Sequence, residues 1–379
     1  MPSPDSPARR RCALRSVKTP ARFTVRSVHS AAKRNAFVTI VSGRGPISRD
    51  VPGVEVRTAG YIDRDRFRFG PFRRAWALRK LAERLTMLPR GLWLVGRPDL
   101  VHIHKPYDLP LAPLLKLRGV PVFYHGHGEG FFPGDRALAR QAAALLSCST
   151  FNAETLRDHY GLDATIVFNG VDTAHFQPTP LNVDLRRALA GDARHVVLMP
   201  GRFMPWKGHA YVIDAFAALR DLSARLVVVG DGETRERLED QASALGLGDA
   251  VLFTGTVPHR DMPRYFAAAD LVVGASLASE TFGMVLAEAM ACARPVLASS
   301  WRGYDDVVIQ GETGERFAAG DPRALAASVR RLLADDERRA AYAAAGRTRV
   351  DELFRWERVA ARVQGVYERV LRGAVGGAS

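Results

Sequence analysis

Residues 271–298 read LVVGASLASETFGMVLAEAMACARPVLA. The apolar runs Leu271–Val273 and Pro295–Ala298 predict two strands, and Gly283 is predicted to open a helix between them. That helix is apolar almost all round, so we expect it to be buried. A strand, a helix and a second strand in this order predict a βαβ unit of a parallel sheet, with ligands at the carboxyl ends of the strands.

The same alternation extends along the chain from residue 100 onward. Short β-rich runs are separated by segments of helical character such as His209–Arg220 and Thr234–Leu245. Runs that are apolar on every side are typical of parallel sheets covered on both faces. The fold class predicted is therefore α/β, with doubly wound domains. The other predicted strands are Phe37–Val41, Leu100–His104, Val120–Tyr124, Ala144–Ser149, Ala164–Phe168, His195–Met199, Arg225–Val229 and Val251–Thr254.

The length of 379 residues predicts two domains. A turn-rich stretch with prolines places the linker at about residues 170–182. The terminal helix, predicted over Arg355–Leu371, has an apolar face that must dock, and the tail from Gly373 is expected to fray. The predicted segments are a basic, disordered or divergent leader (1–35), an N-terminal domain (36–172), a C-terminal domain (173–354), and a terminal helix and tail that pack back toward the N-terminal domain (355–379).

The net charge of +14 is confined to the first half of the chain. Residues 1–180 contain 28 Lys and Arg against 14 Asp and Glu, whereas residues 181–379 contain 26 of each. This asymmetry indicates an anionic partner, such as membrane phospholipid, a phosphorylated acceptor or nucleic acid, or else merely a basic leader. No recognised nucleic-acid motif is present, so we expect no nucleic-acid partner.

The cysteines and the hydropathy pattern bear on the compartment. Three scattered cysteines, Cys12, Cys148 and Cys292, indicate a reducing environment with neither disulfides nor a zinc site. No run approaches the roughly 18–20 apolar residues of a membrane span. We therefore expect a cytoplasmic protein, with contact to the inner face of the plasma membrane through its basic half.

Glu288 lies in the middle of the predicted buried helix. A buried carboxylate needs a hydrogen-bond partner, which a ribose diol, a lysine or a backbone amide could supply. Glu288 follows Gly283 by five residues, about 7.5 Å along the axis, so phosphate held at the helix start would leave a ribose within its reach. Glu280, before the helix, would face the sugar. A structural ion pair is the alternative for Glu288.

The segment from Gly201 to Gly208 connects a predicted strand to a predicted helix. Arg202 and Lys207 lie in it at the carboxyl end of the strand, where two cations could clamp a diphosphate or simply be solvated. The following turn, Gly230-Asp231-Gly232, is neither a dinucleotide fingerprint nor a Walker loop, which argues against dinucleotides and ordinary ATPases.

Together these segments resemble the donor domain of family 4 retaining glycosyltransferases, the group 1 glycosyl transferases of GT-B architecture. The resemblance covers residues ~190–350 closely and residues ~95–180 more loosely. It implies two Rossmann-like doubly wound domains facing across a cleft, the first on the acceptor side and the second binding a nucleotide sugar. The matching elements are Gly201-Arg202, Lys207-Gly208, the Gly-Asp-Gly turn, Phe253-Thr254-Gly255, Glu280-x-Phe282-Gly283-x4-Glu288, and, more loosely, Asp99–His102, His125–Gly128 and Asn169–Asp172.

The resemblance also implies roles for single residues. Arg202 and Lys207 would neutralise the donor's pyrophosphate and stabilise it as it leaves. Glu280 would contact the transferred sugar, and Glu288 the ribose. His127 would be the cleft histidine of the acceptor-side domain, with His125 as the alternative. The implied catalytic residues are His127, Glu280, Arg202 and Lys207, and the implied donor-binding residues are Gly201, Arg202, Lys207, Glu280, Phe282, Gly283, Met284, Val285 and Glu288.

The implied reaction moves a sugar from a UDP- or GDP-sugar to a glycan or lipid-linked acceptor with retention at the anomeric carbon. The leaving phosphate would help to take the acceptor's proton on the same face, and neither a metal nor another cofactor is expected. The basic half favours peripheral contact with an anionic membrane. Two alternatives stay open: a GT-B-like nucleotide-sugar epimerase, and a non-catalytic relic or binding module.

Four features depart from the family pattern. Ala293 stands where the family has glycine, Arg302-Gly303 replaces a Gly-Gly turn, and Asp306 replaces a glutamate. These positions are expected to lie behind the donor site, where such changes are tolerable. The fourth departure is that neither a first strand nor a glycine-rich loop precedes Phe37, so either the leader is divergent or the acceptor domain is incomplete.

Overall fold

The structure is a computed structural model that describes residues 38–43, 54–59, scattered helical residues between 79 and 93, and residues 98–376. The predicted leader, residues 1–35, lies outside the described residues. Strands β1 (Val38–Gly43) and β2 (Val54–Ala59) pair in parallel.

The N-terminal domain contains a second parallel sheet of four strands. Its strands, in order across the sheet, are β3 (Val101–Ile103), β4 (Val122–Gly126), β5 (Ala144–Ser147) and β6 (Ala164–Ile166). The helices between them are α1 (Leu111–Lys116), α2 (Asp135–Ala139) and α3 (Thr150–Tyr160). Ser149 caps α3, since its side chain accepts a hydrogen bond from the Asn152 amide.

The C-terminal domain contains a six-stranded parallel sheet. Its strands are β7 (His195–Pro200), β8 (Ala224–Val229), β9 (Val251–Gly255), β10 (Leu271–Gly274), β11 (Val296–Ser299) and β12 (Glu315–Phe317). Its helices are α4 (Val183–Ala190), α5 (His209–Ala217), α6 (Arg235–Ala244), α7 (Met262–Ala267), α8 (Met284–Ala291), α9 (Pro322–Leu333) and α10 (Asp336–Arg349).

The order of the strands places a ligand crevice in this domain. The sheet runs β12-β11-β10-β7-β8-β9, so the chain winds outward in one direction from β7 and in the other from β10. Loops leaving these two strands part to opposite faces, which opens a crevice at their carboxyl ends. The loops after Pro200 and after Gly274 border it.

Both faces of the six-stranded sheet are buried, as its apolar runs predict. Along β7, Val196 and Leu198 pack into one core while Val197 and Met199 pack into the other, and all four are at most 3% exposed. This alternation within an uninterrupted apolar run requires helices on both sides of the sheet. The prediction of two doubly wound α/β domains is confirmed.

The predicted strands are all present, with ends shifted by no more than two residues. Strands β2 and β12 were not predicted. β2 alternates charged with apolar residues (Glu55, Arg57), and β12 is a three-residue edge strand that contains Glu315 and Arg316. Neither has the continuous apolar run on which the prediction relied.

The terminal helix α11 (Trp356–Gly376) packs against the N-terminal domain. It runs five residues beyond the predicted end, through part of the stretch expected to fray. Val359 and Val366 join a core cluster with Phe123, Leu146 and Val167, which belong to the four-stranded sheet and its edge. The chain therefore crosses from the C-terminal domain back to the four-stranded sheet just before α11.

The two crossings between the domains lie side by side. The Val171 amide donates a hydrogen bond to the Phe354 carbonyl at 2.6 Å, and Val171 forms a bridge with Arg355. Gly170 has no room for a side chain here, because an added Cβ would lie 2.4 Å from the Trp356 indole. Phe354 is fully buried and contacts Phe168 and Phe282.

Ala293 occupies a backbone conformation that suits glycine. It ends α8 with φ +51°, in the left-handed region, and the Arg294 amide closes the turn on the Ala289 carbonyl at 3.0 Å. Helices often end with glycine at this position, because a Cβ costs about 1–2 kcal/mol there. The departure at Ala293 is therefore a strained helix end.

We expect Ala293→Gly to stabilise the fold by about 0.5–1 kcal/mol, since relief of the strain exceeds glycine's greater unfolded entropy. Thermal unfolding should shift upward by about 2–4 °C per kcal/mol. Ala344→Gly, on the exposed face of α10, is the control and should destabilise by about 1 kcal/mol. If both variants lose the same amount of stability, Ala293 is not a strained helix end.

Candidate active site in the cleft

A cavity opens at the crevice between β7 and β10. It is lined by Met199, Pro200, Gly201, Lys207, His209, Val273, Gly274, Ala275, Ser276, Glu280, Gly283, Val285, Leu286 and Tyr304. Five predicted donor residues, Gly201, Lys207, Glu280, Gly283 and Val285, are among them. Arg202 has an exposed side chain outside this lining, and Phe282 is a core side chain, 1% exposed. Met284, Glu288 and His127 also lie outside the lining.

Lys207 and Glu280 form an ion pair in this cavity. The Lys207 Nζ donates to Glu280 Oε2 at 2.6 Å, and both side chains are about four-fifths buried. Glu280 Oε1 accepts from the Gly283 amide at 3.0 Å. Burial opposes ionisation of Glu280, but the Lys207 charge and these hydrogen bonds outweigh it and lower the pKa of the carboxyl. Glu280 is therefore held as a carboxylate, at the start of α8.

The loop that carries Lys207 is held by a close backbone contact. Gly208 has φ +77°, and an added Cβ would lie 2.0 Å from the Ala275 carbonyl oxygen. The same carbonyl accepts a hydrogen bond from the Tyr211 hydroxyl at 2.6 Å, and the Leu277 amide donates to the Trp206 carbonyl at 2.7 Å. The loops after β7 and β10 are thus packed together at the cavity.

The Gly-Asp-Gly turn has a packing role. An added Cβ at Gly230 would lie 1.9 Å from the Gly201 carbonyl oxygen, and one at Gly232 would lie 2.3 Å from the Phe203 carbonyl oxygen. The Phe203 amide donates to the Asp231 carbonyl at 3.0 Å. The turn therefore braces the start of the loop that carries Lys207.

His209 is a site residue that the sequence analysis missed. It opens α5, lines the cavity and is 3% exposed, yet neither ring nitrogen has a hydrogen-bond partner. Burial and the nearby Lys207 charge lower the pKa of His209 to about 4, so the ring is neutral near pH 7. A buried polar ring without partners is costly unless a ligand supplies the missing hydrogen bonds.

Glu288 is buried as predicted, at 7% exposure, and its partner is a histidine. Its Oε1 lies 2.8 Å from the Nε2 of His259, which is half-exposed in the loop after β9. The sequence left a ribose, a lysine, a backbone amide or a structural ion pair as the possible partner. It did not single out His259, because a lone loop histidine has no distinguishing pattern.

His127 and His125 occupy different places at the end of β4. The His127 carbonyl accepts a hydrogen bond from the Thr281 hydroxyl at 3.1 Å, which puts His127 beside the loop of Glu280. His125 is 5% exposed, and its Nε2 bonds the Val167 carbonyl at 3.2 Å. Of the two histidines, His127 is the one that borders the cleft.

Two of the departures from the family pattern connect the domains. The Thr150 amide and hydroxyl both donate to the Asp306 carboxylate at 2.7 Å, and Arg302 pairs with Glu154. Thr150 and Glu154 belong to α3. The sequence placed Arg302 and Asp306 behind the donor site, and the structure adds that both bind α3 of the opposite domain.

Family comparisons cover both halves of the chain. The sequence model of Glycosyl transferases group 1 matches residues 184–349, and that of Glycosyltransferase Family 4 matches residues 21–175. The chain is 32% identical to a GDP-mannose-dependent alpha-(1-6)-phosphatidylinositol monomannoside mannosyltransferase of Mycolicibacterium smegmatis, over 73% of this chain and 79% of the relative. It is 33% identical to a D-inositol 3-phosphate glycosyltransferase of Thermobispora bispora, over 73% and 72%.

Solved structures share the fold at low sequence identity. Anabaena HepE, crystallised with UDP and glucose, superposes with a TM-score of 0.75 at 22% identity, over 91% of this chain and 95% of its own. Sucrose-phosphate synthase of Thermosynechococcus elongatus also gives 0.75, at 23% identity and 92% coverage of both chains. These likenesses support the two-domain architecture.

Proposed function

The chain belongs to the family 4 glycosyltransferases of group 1, and from that premise we propose that it moves a sugar from a GDP- or UDP-sugar to a glycan or lipid-linked acceptor with retention of configuration. It is a nucleotide-sugar-dependent transferase. The observation that carries the proposal is the Lys207–Glu280 pair, which places a buried cation in the crevice where the two halves of the sheet diverge.

We propose that Lys207 acts on the leaving group. As the bond between the anomeric carbon and phosphate oxygen breaks, its electron pair passes to the diphosphate, and a fixed cation stabilises that charge. The acceptor hydroxyl bonds the same face of the anomeric carbon and gives its proton to the departing phosphate. Glu280 orients Lys207 and contacts the sugar, while His127 borders the acceptor side. Cations take the place of a metal between the phosphates.

The single test of this proposal is a thermal-shift panel of UDP, GDP, ADP and TDP with their sugars, without added metal. A nucleotide at ~100 times its dissociation constant stabilises the fold by about 2.7 kcal/mol. In a domain of this size, the melting temperature then rises by several degrees. NMR of the product then reads the anomeric configuration. No shift with any nucleotide in folded protein, or an inverted product, would overturn the proposal.

The acceptor is proposed to be membrane-associated. The basic first half supports this, and so does a relative whose acceptor is a phosphatidylinositol monomannoside. Among the described residues, no helix combines the length and apolar character needed to cross a bilayer. Contact would be peripheral, at the inner face of the membrane, and should appear as salt-sensitive co-sedimentation with phosphatidylglycerol vesicles but not with phosphatidylcholine. If the protein does not co-sediment with anionic vesicles at low salt, the proposed membrane contact is wrong.

We expect Glu288→Ala to raise the donor dissociation constant by about 10- to 100-fold, because hydrogen bonds to a charged group contribute about 1.5–3 kcal/mol. The turnover number should change little, because Glu288 would contact the ribose equally in the ground state and in the transition state. His259→Ala should have a smaller effect on binding, because it only loosens Glu288. Glu236→Ala on exposed α6 is the control. Unchanged nucleotide binding in Glu288→Ala would reject the ribose role.

His209 is proposed to donate a hydrogen bond to the donor's phosphate. We expect His209→Phe, which keeps a buried ring but removes both nitrogens, to weaken nucleotide diphosphate binding by about 10- to 100-fold. The nucleoside without phosphates should bind both proteins equally. Isothermal titration with the diphosphate and the nucleoside separates these cases, and an equal loss for both ligands would point to a packing defect instead.

A further inference from the structure

Four histidines line one face of the N-terminal sheet. His102 lies in β3 and His104 one residue after it, while His125 lies in β4 and His127 one residue after it. Alternate residues of a strand share a face, so the two pairs meet side by side. The His102 and His104 rings stack at 4.4 Å between centroids, and the His125 and His127 rings lie 4.2 Å apart.

Hydrogen bonds occupy some of the ring nitrogens, and His104 Nδ1 lies 3.0 Å from His127 Nε2. His125 uses Nε2 on the Val167 carbonyl. His102 uses Nδ1 on the Tyr367 hydroxyl, and its Nε2 is buried without any partner. One nitrogen from each of His102, His104 and His125 lies within 4.8 Å of the others.

Burial lowers the pKa of all four histidines. Burial, assisted by neighbouring positive charge, lowers the pKa of His104 to about 4 and that of His125 to about 3. Burial also lowers the pKa of His102 and of His127 well below the ordinary value.

We propose that His102, His104 and His125 bind one divalent transition-metal ion of the Zn²⁺ class. Three imidazoles suit zinc, copper or nickel and do not suit magnesium or calcium. A three-histidine set leaves an open fourth position, for water or for His127. Zinc–nitrogen bonds of about 2.0–2.1 Å require closer nitrogens than those seen here, so the rings turn slightly on binding.

The outer contacts match those of metal-bound histidines. Such residues normally donate their second ring N–H to a carbonyl or another acceptor, which fixes the ring. Val167 supplies this for His125, and the Tyr367 hydroxyl of α11 supplies it for His102. The three proposed ligands are not among the residues that line the donor cavity, whereas His127 also borders the acceptor side in the proposed function. The scattered cysteines gave no sign of it, because its ligands are histidines from two strands.

The test uses untagged full-length protein stripped with chelator and titrated with Co²⁺, followed by displacement with Zn²⁺. We expect one equivalent per chain, with the visible absorption of low-coordinate cobalt. His102→Asn and His125→Asn should each weaken binding by about 100-fold or more, and Tyr367→Phe by about 10-fold. The control, His195→Asn in β7, should bind normally.

Tyr367→Phe keeps the test decisive if the histidine variants fail to fold, because it removes only a hydroxyl. Nucleotide-induced thermal shift reports folding of each variant separately from metal binding. Substoichiometric cobalt in the parent protein, or affinity unchanged in the folded His125→Asn and Tyr367→Phe variants, would overturn the proposal.

Discussion

Lys207→Ala is expected to lower the turnover number by about 10²–10³-fold, the usual loss when one preorganised donor to a developing anion is removed. The donor dissociation constant should rise much less, because the charge on the leaving phosphate grows only as the glycosidic bond breaks. Single-turnover measurements at saturating donor isolate this step from product release.

The structure offers matched controls for this experiment. Lys116→Ala removes an exposed lysine that donates a hydrogen bond to Gln141, so transfer should be unchanged. Lys207→Arg keeps the charge but displaces it from Glu280 and should recover part of the rate. A near-normal turnover number in Lys207→Ala would assign the leaving-group role to another cation, and exposed Arg202 is then the first to examine.

Gly208→Ala is expected to reduce kcat/KM by at least about 100-fold and to lower the melting temperature. The added methyl would meet the Ala275 carbonyl at 2.0 Å, so the loop must move and carry Lys207 and His209 with it. A misplacement of about 1 Å at the reacting groups can cost this much.

Gly311→Ala separates this collision from backbone strain. Gly311 has the same φ of +77°, but an added Cβ there meets nothing within 4 Å. Both variants carry the strain of about 1–2 kcal/mol, and only Gly208→Ala adds the clash. Gly208→Ala should therefore lose more activity and more thermal stability than Gly311→Ala. Equal behaviour would show that the contact with Ala275 does not hold the loop.

Local patterns predicted the fold and part of the site. The fully apolar strands identified parallel sheets, and the positions of Lys207 and Glu280 in loops after strands placed them at one crevice. Such inferences succeed because strand order and sheet direction bring the carboxyl ends of strands together. The helix start at Gly283 was similarly readable from the sequence.

Other features depend on tertiary contacts that leave no local pattern. In the sequence, His209 looks like an ordinary helix residue. Only the packing of the loops shows that its two ring nitrogens are buried and have no hydrogen-bond partner. His259 meets Glu288 across 29 residues of chain. Arg302 and Asp306 reach α3 across about 150 residues, so their interdomain role could not be predicted from neighbours in sequence.

The side-by-side crossings at Val171 and Phe354 make the C-terminal domain an insertion within the N-terminal one. The two ends of the inserted segment are joined by the backbone hydrogen bond from Val171 to Phe354, 2.6 Å long, and by the bridge between Val171 and Arg355. A chimera designed to acquire another donor specificity should therefore graft residues 173–354 as a cassette with two junctions. A single recombination point in the linker would import a foreign α11, whose Val359 and Val366 counterparts would have to fit the pocket around Phe123.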